Sequence, residues 1–219
     1  DDTEFDLDQF IEDRKADLTS YQNAAYAERY QTTVTAIRDA EQKSTPGYIN
    51  LTEAVARSLY KLMAYKDEYE VARLFTQTDF KAKIDTQFDA GYKLKFHMAP
   101  PLLAKKDKET GHLKKMEIGG WLLPVFKYLA KLKSLRGTKL DLFGYTDERK
   151  LERQLIKDYK DTLEKALPHI SESTYETLVE IAKLPEKIRG FGHIKEDNIK
   201  KAKATERALF DTLLSASNS

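Results

Sequence analysis

Two short loops of the sequence place arginine beside glycine, a combination that can bind an anion. They read LRGT at residues 135–138 and IRGFGHIK at residues 188–195, each at a predicted helix boundary. Glycine lets backbone N–H groups approach a ligand, and arginine holds phosphate or carboxylate through paired hydrogen bonds. A glycine that ends a helix, with the arginine on its last carbonyl groups, is the interpretation that we favour. The candidate anion contacts are Arg136, Arg189, His193 and Lys195.

The basic residues of the chain are concentrated in one block. Residues 91–140 carry 12 basic and 3 acidic side chains, a balance of +9 in a chain whose net charge is +1. A field of this kind attracts acidic proteins or phosphate groups. We expect the block to contact an acidic partner, and the candidate contacts are Lys105, Lys106, Lys114 and Lys115.

Nucleic acid is a less suitable partner for this block. Over residues 92–97 the lysines alternate with aromatic and apolar residues, so charges and rings face opposite sides of the predicted strand. A surface for single-stranded nucleic acid presents both together. The sequence pI of about 7.9 is also low for a nucleic-acid-binding domain. We expect no nucleic-acid partner.

Catalytic and metal-binding motifs are absent from the sequence. The four histidines lack metal-ligand spacing, and there is no glycine-rich phosphate motif. The absence of cysteine excludes disulfides, thiolate metal ligands and a cysteine nucleophile. Ser58 and Lys61 match the S-x-x-K pattern, but its partner motifs are missing and Ser58 is interpreted as a helix residue. We predict no catalytic residue and no metal site.

A nearly continuous apolar helix is predicted over residues 50–75, and it must be covered on several sides. Asn50 and Glu53 form a capping-box pattern at its start. Glu53, Arg57 and Lys61 recur at four-residue spacing and form one narrow polar stripe. We predict that this helix is the core of the fold, with a break near residues 66–67 as an alternative.

Most of the remaining chain is also predicted to be helical. Residues 10–43 form one long helix, residues 121–134 form another in which Trp121 is an aromatic core anchor, and residues 194–216 form the last. Alternation over residues 92–97 predicts a strand, followed by a polar tip and a return strand. The predicted fold is mainly α, a single helical domain with a small β-hairpin inserted near residues 91–118.

The chain shows neither a membrane span nor a signal peptide. Its longest apolar run, residues 121–126, is far shorter than the ~18 residues that a span requires. We therefore expect a cytoplasmic protein with no membrane partner. Because the sequence does not begin with Met, we expect residues 1–219, which read as a single domain, to be a piece of a larger chain.

Several runs of the sequence resemble one family of bacterial enzymes. They are YQNAAY at 21–26, EAVAR at 53–57, LMAYKDEYEVARL at 62–74, YKLKFHMAPPLL at 92–103, LRGT at 135–138, FGYT at 143–146 with Glu148 and Arg149, and LPEKIRGFGH at 184–193. Together they are similar to the C-terminal domain of the large fused indolepyruvate (2-oxoacid) ferredoxin oxidoreductases. The resemblance extends from about residue 21 to residue 207.

This resemblance implies a parent enzyme that decarboxylates a 2-oxoacid on thiamine pyrophosphate and magnesium. Electrons would pass through iron–sulphur clusters to ferredoxin, and the acyl group would be transferred to coenzyme A. None of these cofactors is expected in this chain, because it has no cysteine and no Gly-Asp-Gly motif of the thiamine enzymes.

The leading hypothesis is a non-catalytic accessory domain that packs on the catalytic domains of the same parent chain. It would support homo-oligomer contacts, or dock ferredoxin or the phosphates of coenzyme A through the basic block. The alternative is a freestanding anion- or phosphate-binding helical module around Arg136, Arg189, His193 and Lys195. An independent enzyme is the third hypothesis.

Overall fold

The computed structural model describes residues 5–76, 84, 86, 87, 93, 95–98 and 116–217. Its helices and strands are α1 (Leu7–Tyr21), α2 (Ala24–Ser44), α3 (Asn50–Met63), α4 (Glu68–Thr76), β1 (Lys95–Met98), β2 (Met116–Gly119), α5 (Leu122–Lys131), α6 (Asp147–Ala166), α7 (Tyr175–Lys183) and α8 (Gly192–Ser217). Short 3-10 turns follow α5, α6 and α7 at Leu132–Leu135, Leu167–His169 and Leu184–Lys187. The prediction of a mainly α fold with a small β-hairpin is confirmed.

The chain divides into two compact units. Unit 1 comprises Asp1–Tyr65 and Gly144–Ser219, and unit 2 comprises Lys66–Phe143. The prediction that residues 1–219 act as one domain stays a prediction. Within the described ranges, no helix is long and apolar enough to cross a membrane.

Helix α3 is the centre of unit 1, as its apolar pattern predicts. Leu51, Val55 and Leu59 on this helix are buried, and α3 packs against α1, α2, α6 and α7. Each fully buried side chain of this size contributes roughly 1.5–3 kcal/mol to stability. The helix ends at Met63 and α4 begins at Glu68, so the break predicted as an alternative is present.

A carboxylate from α2 caps the start of α3. Glu41 is completely buried, and its Oε1 atom accepts hydrogen bonds from the backbone N–H of Leu51 (2.9 Å) and the hydroxyl of Tyr175 (2.5 Å). Its Oε2 atom accepts from the backbone N–H of Thr52 (3.1 Å) and from the Thr52 hydroxyl. The first N–H groups of a helix have no partner within the helix. Glu41 therefore satisfies donors that a local cap would otherwise serve.

The predicted capping box at Asn50 and Glu53 is wrong. The N-cap residue of α3 is Ile49, and no local side chain bonds the helix start. The Glu53 carboxylate instead accepts a hydrogen bond from Arg57 Nε at 2.8 Å, one turn along the helix. The local pattern is overridden because the buried carboxylate of Glu41 already occupies the helix start.

The end of α3 is also closed by distant side chains. The hydroxyl of Tyr26 donates to the carbonyl of Met63 at 2.9 Å, and that of Tyr21 donates to the carbonyl of Tyr65 at 2.7 Å. The last carbonyl groups of a helix also have no partner within it. Tyr21 and Tyr26 thus pack in the same core as α3 and also bond the carbonyl groups at its end.

The single helix predicted over residues 10–43 is wrong, because the chain is interrupted between α1 and α2. Asn23 lies at the interruption, and its Oδ1 atom accepts a hydrogen bond from the backbone N–H of Tyr26 at 2.9 Å. Asparagine competes with the helical backbone in this way and favours the N-cap position. The local capping chemistry of Asn23 therefore divides an otherwise helical pattern.

Unit 2 is built around aromatic rings of α4, α5 and the hairpin. Strands β1 and β2 are antiparallel, with Phe96 opposite Ile118. The Phe75 ring centre lies 5.1 Å from that of Phe96 and 5.7 Å from that of Phe126. These rings form the core of unit 2. The predicted polar tip of the hairpin lies outside the described residues.

The prediction that Trp121 is a core anchor is wrong. Its side chain is 69% exposed, whereas Leu122 and Phe126 on the same helix are buried. The buried face of α5 is thus shifted by one residue from the tryptophan. An apolar residue at a helix start can belong to either face, and periodicity alone does not decide which.

We expect the substitution Glu41→Gln to lower the free energy of unfolding by about 2 kcal/mol. Whichever way the amide turns, its NH2 group faces a backbone N–H of Leu51 or Thr52, which cannot rotate away. Urea unfolding followed by circular dichroism measures the change. Glu28→Ala, an exposed change on the same helix, is the control. An unchanged stability for Glu41→Gln would contradict the capping role.

Candidate functional site

The structure places the candidate anion contacts in two different units. Arg136 belongs to unit 2, whereas Arg189, His193 and Lys195 belong to unit 1. The candidate lysines of the basic block, Lys105, Lys106, Lys114 and Lys115, lie outside the described residues.

Arg136 is buried and bound to a carboxylate of its own unit. Its Nε and Nη2 atoms donate to the two oxygens of Asp67 at 2.5 and 2.8 Å. Asp67 is buried as well, and it also caps α4 by accepting from the backbone N–H of Glu70 at 2.9 Å. A paired arginine of this kind has its fork geometry filled by the carboxylate. The geometry favours a structural role for Arg136 over anion binding.

A second carboxylate completes this network. Asp141 accepts hydrogen bonds from the backbone N–H of Gly137 at 2.7 Å and from the hydroxyl of Tyr69 at 3.2 Å. Burial and the nearby charge of Asp141 raise the pKa of Tyr69, and the Arg136 guanidinium lies 5.5 Å from its ring centre. The loop at residues 135–138 is therefore held in place by two acids. Two interpretations of Arg136 are open from the sequence, anion binding and a bond to the last carbonyl groups of a helix. Neither predicts Asp67 as its partner.

The other three candidates lie where the loop joins α8: Arg189 in the loop, and His193 and Lys195 in the first turn of the helix. Lys195 donates to Glu152 Oε1 at 2.6 Å, and both side chains are largely buried. The exposed Arg189 donates from Nε to the carbonyl of Glu186 at 3.0 Å, and Asn198 donates to the carbonyl of Arg189 at 2.9 Å. His193 is exposed. The structure thus places these candidates at one loop–helix junction, and of the three only Arg189 and His193 lie open to solvent.

Glycine is required at Gly190 for two physical reasons. Its φ of +93° lies in the left-handed region, where a side chain is unfavourable. A Cβ at this position would also lie only 2.8 Å from Cγ2 of Ile194. The glycine that suggested close approach of a ligand is therefore explained by close approach of α8.

Sequence reasoning missed Lys61, which holds the same loop from α3. Its ammonium donates to the carbonyls of Pro185 (2.8 Å), Glu186 (3.0 Å) and Ile188 (3.0 Å). Partial burial and the neighbouring charges of Arg189 and Lys195 lower the pKa of Lys61, although Glu186 opposes this shift. The polar stripe that contains Lys61 indicated only a charged helix face.

The loop therefore carries an excess of positive charge that proteins can use for anion binding. Arg189 and Lys195 both lie close enough to Lys61 to lower its pKa. Glu152 neutralises Lys195, and the three carbonyl groups hold Lys61. The described residues contain no group of histidine and acidic side chains that could hold a metal ion.

We expect Lys61→Met to lower the free energy of unfolding by about 1 kcal/mol, because three carbonyl groups lose a charged donor while remaining partly hydrated. Amide hydrogen exchange of residues 188–192 should become faster as the loop loosens. Lys43→Met, at the exposed end of α2, is the matched control. Equal exchange in both variants would show that Lys61 does not hold the loop.

Comparison with known proteins gives one match. No curated protein and no solved structure matches the chain. A family model described as a family of unknown function, DUF6537, matches residues 7–208. This match extends from the first turn of α1 into α8 and covers residues of both units. The chain therefore belongs to the DUF6537 family.

Proposed function

We propose that this chain is a non-catalytic accessory domain of a thiamine-pyrophosphate- and iron–sulphur-dependent 2-oxoacid:ferredoxin oxidoreductase. The proposal combines the sequence resemblance with one structural observation. In both units, buried charges bond to helix ends and to one another: Glu41 at α3, the pair Asp67–Arg136 at α4, and the pair Glu152–Lys195 beside α8. Charges used in this way stabilise an arrangement of helices and have their hydrogen bonds filled. This observation supports a scaffolding role.

In the proposed role, the chain packs on the catalytic domains of the same parent chain and takes part in homo-oligomer contacts. Thiamine pyrophosphate, magnesium, iron–sulphur clusters and coenzyme A belong to the parent enzyme. The basic block of residues 91–140 docks an acidic partner, either ferredoxin or the phosphates of coenzyme A. Its balance of +9 favours rapid, salt-dependent association with such a partner.

The docking role is tested in the parent enzyme by replacing Lys105, Lys106, Lys114 and Lys115 with glutamine. At low ionic strength and limiting ferredoxin, we expect the rate of ferredoxin reduction to fall about tenfold or more, because electrostatic steering is weakened. Reduction of a small viologen dye should be unchanged, since a dye needs no protein docking. Steady-state kinetics with the two electron acceptors makes the comparison.

Four exposed lysines of unit 1 provide the control for this experiment. Glutamine at Lys157, Lys160, Lys165 and Lys200 removes the same charge from a different surface and should leave ferredoxin reduction intact. Equal ferredoxin kinetics for the two variants would contradict docking through the basic block. A parent polypeptide no larger than about 25 kDa on an immunoblot of source cells would contradict the accessory role itself.

A second candidate function is the freestanding anion-binding module, and one observation favours it. The guanidinium of the exposed Arg189 lies near Lys61, as does Lys195, so an anion at this loop would meet positive charge. An arginine with free N–H donors binds phosphate in a geometry that lysine cannot match.

If the module binds anions, calorimetry of the 219-residue chain should detect saturable heat with inorganic phosphate or coenzyme A. Arg189→Met should abolish this heat, because the exposed bidentate donor is lost. Arg207→Met, an exposed change on α8, should leave it intact. The absence of heat with the unmodified chain would exclude this second candidate.

A further inference from the structure

Helix α5 presents an apolar surface to solvent. Trp121, Val125 and Tyr128 are 69%, 47% and 68% exposed, and their spacing of four and three residues places them on one side of the helix. We call these three residues the α5 face. The opposite side, which includes Leu122, Phe126 and Ala130, is buried in the core of unit 2. Helix α5 is therefore apolar on both sides, and the described residues cover only one of them.

The Trp121 ring is exposed, and one edge lies beside the end of β2. A Cβ at Gly119 would be 3.4 Å from Trp121 Cδ1 and 3.8 Å from Nε1, which is ordinary van der Waals contact. Most of the indole therefore remains open to a partner.

The segment that contains the α5 face is rich in basic side chains. Residues 118–140 contain five basic side chains and no aspartate or glutamate. Arg136 is neutralised by Asp67, whereas Lys127 and Lys131 are exposed on α5 itself. No ion pair joins either lysine to a carboxylate within the part of the chain that the structure describes. The apolar face thus has a positively charged border.

We propose that the α5 face is a docking surface for an acidic protein partner that presents carboxylates around an apolar centre. Tryptophan and tyrosine at the centre of a surface, with charges at its border, match the anatomy of protein interfaces. This inference deepens the docking role proposed above and rests on it. The basic block was defined from the sequence alone, and the α5 face identifies a surface within it whose structure is known.

A second copy of the chain is a poor occupant of this surface. Two copies related by a two-fold axis would bring Lys127 and Lys131 of one chain close to the same residues of the other. Neither copy offers an acid on α5 itself to balance them. Like charges brought together at an interface are unfavourable, whereas carboxylates of an acidic partner would be attracted.

The proposal can be tested by fluorescence, because Trp121 is the single tryptophan of the chain. The probe is a synthetic amphipathic helix of leucine and glutamate, compared with a peptide of the same pattern in leucine and lysine. We expect the glutamate peptide to move the tryptophan emission to shorter wavelength in a saturable and salt-sensitive manner. The lysine peptide should leave the emission unchanged.

Charge reversal on α5 provides the decisive variant. Lys127→Glu with Lys131→Glu should weaken binding of the glutamate peptide about tenfold or more and allow the lysine peptide to bind, because the border changes sign. Lys157→Glu with Lys160→Glu makes the same change of charge on exposed positions of α6. This control should keep the original preference for the glutamate peptide.

Several outcomes would overturn the proposal. Equal binding of both peptides, or of neither, would show that the α5 face does not select an acidic partner. An emission shift that depends on protein concentration alone, with self-association in sedimentation, would assign the face to a second copy. A shift with anionic lipid vesicles but not with the glutamate peptide would assign it to a membrane surface.

Failure of this inference can be distinguished from failure of the proposed function. If the glutamate peptide binds through Lys127 and Lys131 while the parent enzyme reduces ferredoxin normally after the four-lysine change, the docking surface stands and the ferredoxin role fails. If ferredoxin reduction depends on the four lysines but the peptide does not bind the α5 face, the proposed function stands and this inference fails.

Discussion

Unit 1 depends on one buried carboxylate, that of Glu41. Helix α3 is apolar on nearly every side, and in its first turn Leu51 and Thr52 are buried, so water does not reach their backbone N–H groups. The donors there must be satisfied from another element, since a buried unpaired N–H group is costly. Glu41 supplies both oxygens from α2, and Tyr175 at the start of α7 shares one of them. Three helices therefore meet at a single side chain.

The same solution recurs at other helix ends. Tyr159 donates to the carbonyl of Ala182 near the end of α7 at 2.8 Å, and burial raises the pKa of this tyrosine. Lys61 serves the turn that follows α7, and Asp67 serves the start of α4 in unit 2. Polar groups that face inward thus connect distant elements. Because these inward-facing groups are bonded to helix ends, the proposed function is assigned to the surface of the protein.

Basic residues that look alike in the sequence differ in the structure, because some are paired with acids and others remain exposed. The basic block appears uniform in the sequence, but two of its cations are paired. Asp67 neutralises Arg136, and the Nζ atom of Lys95 lies 2.6 Å from Oε1 of Glu117. The cations that remain exposed on α5 lie beside a tryptophan and a tyrosine that no described part of the chain covers. In unit 1, the junction of the loop with α8 shows the same division between a paired Lys195 and an exposed Arg189.

Local pattern in the sequence determined the helical character, the hairpin and the core position of α3, because periodicity and apolar content are properties of neighbouring residues. Only the tertiary structure decided which charges pair, since Asp67 meets Arg136 across 69 positions of the chain and Glu41 reaches Leu51 across a helix boundary. It also decided that Trp121 is exposed. Periodicity groups residues on a helix face, but burial depends on which neighbouring element covers that face, and this is a property of the packed chain.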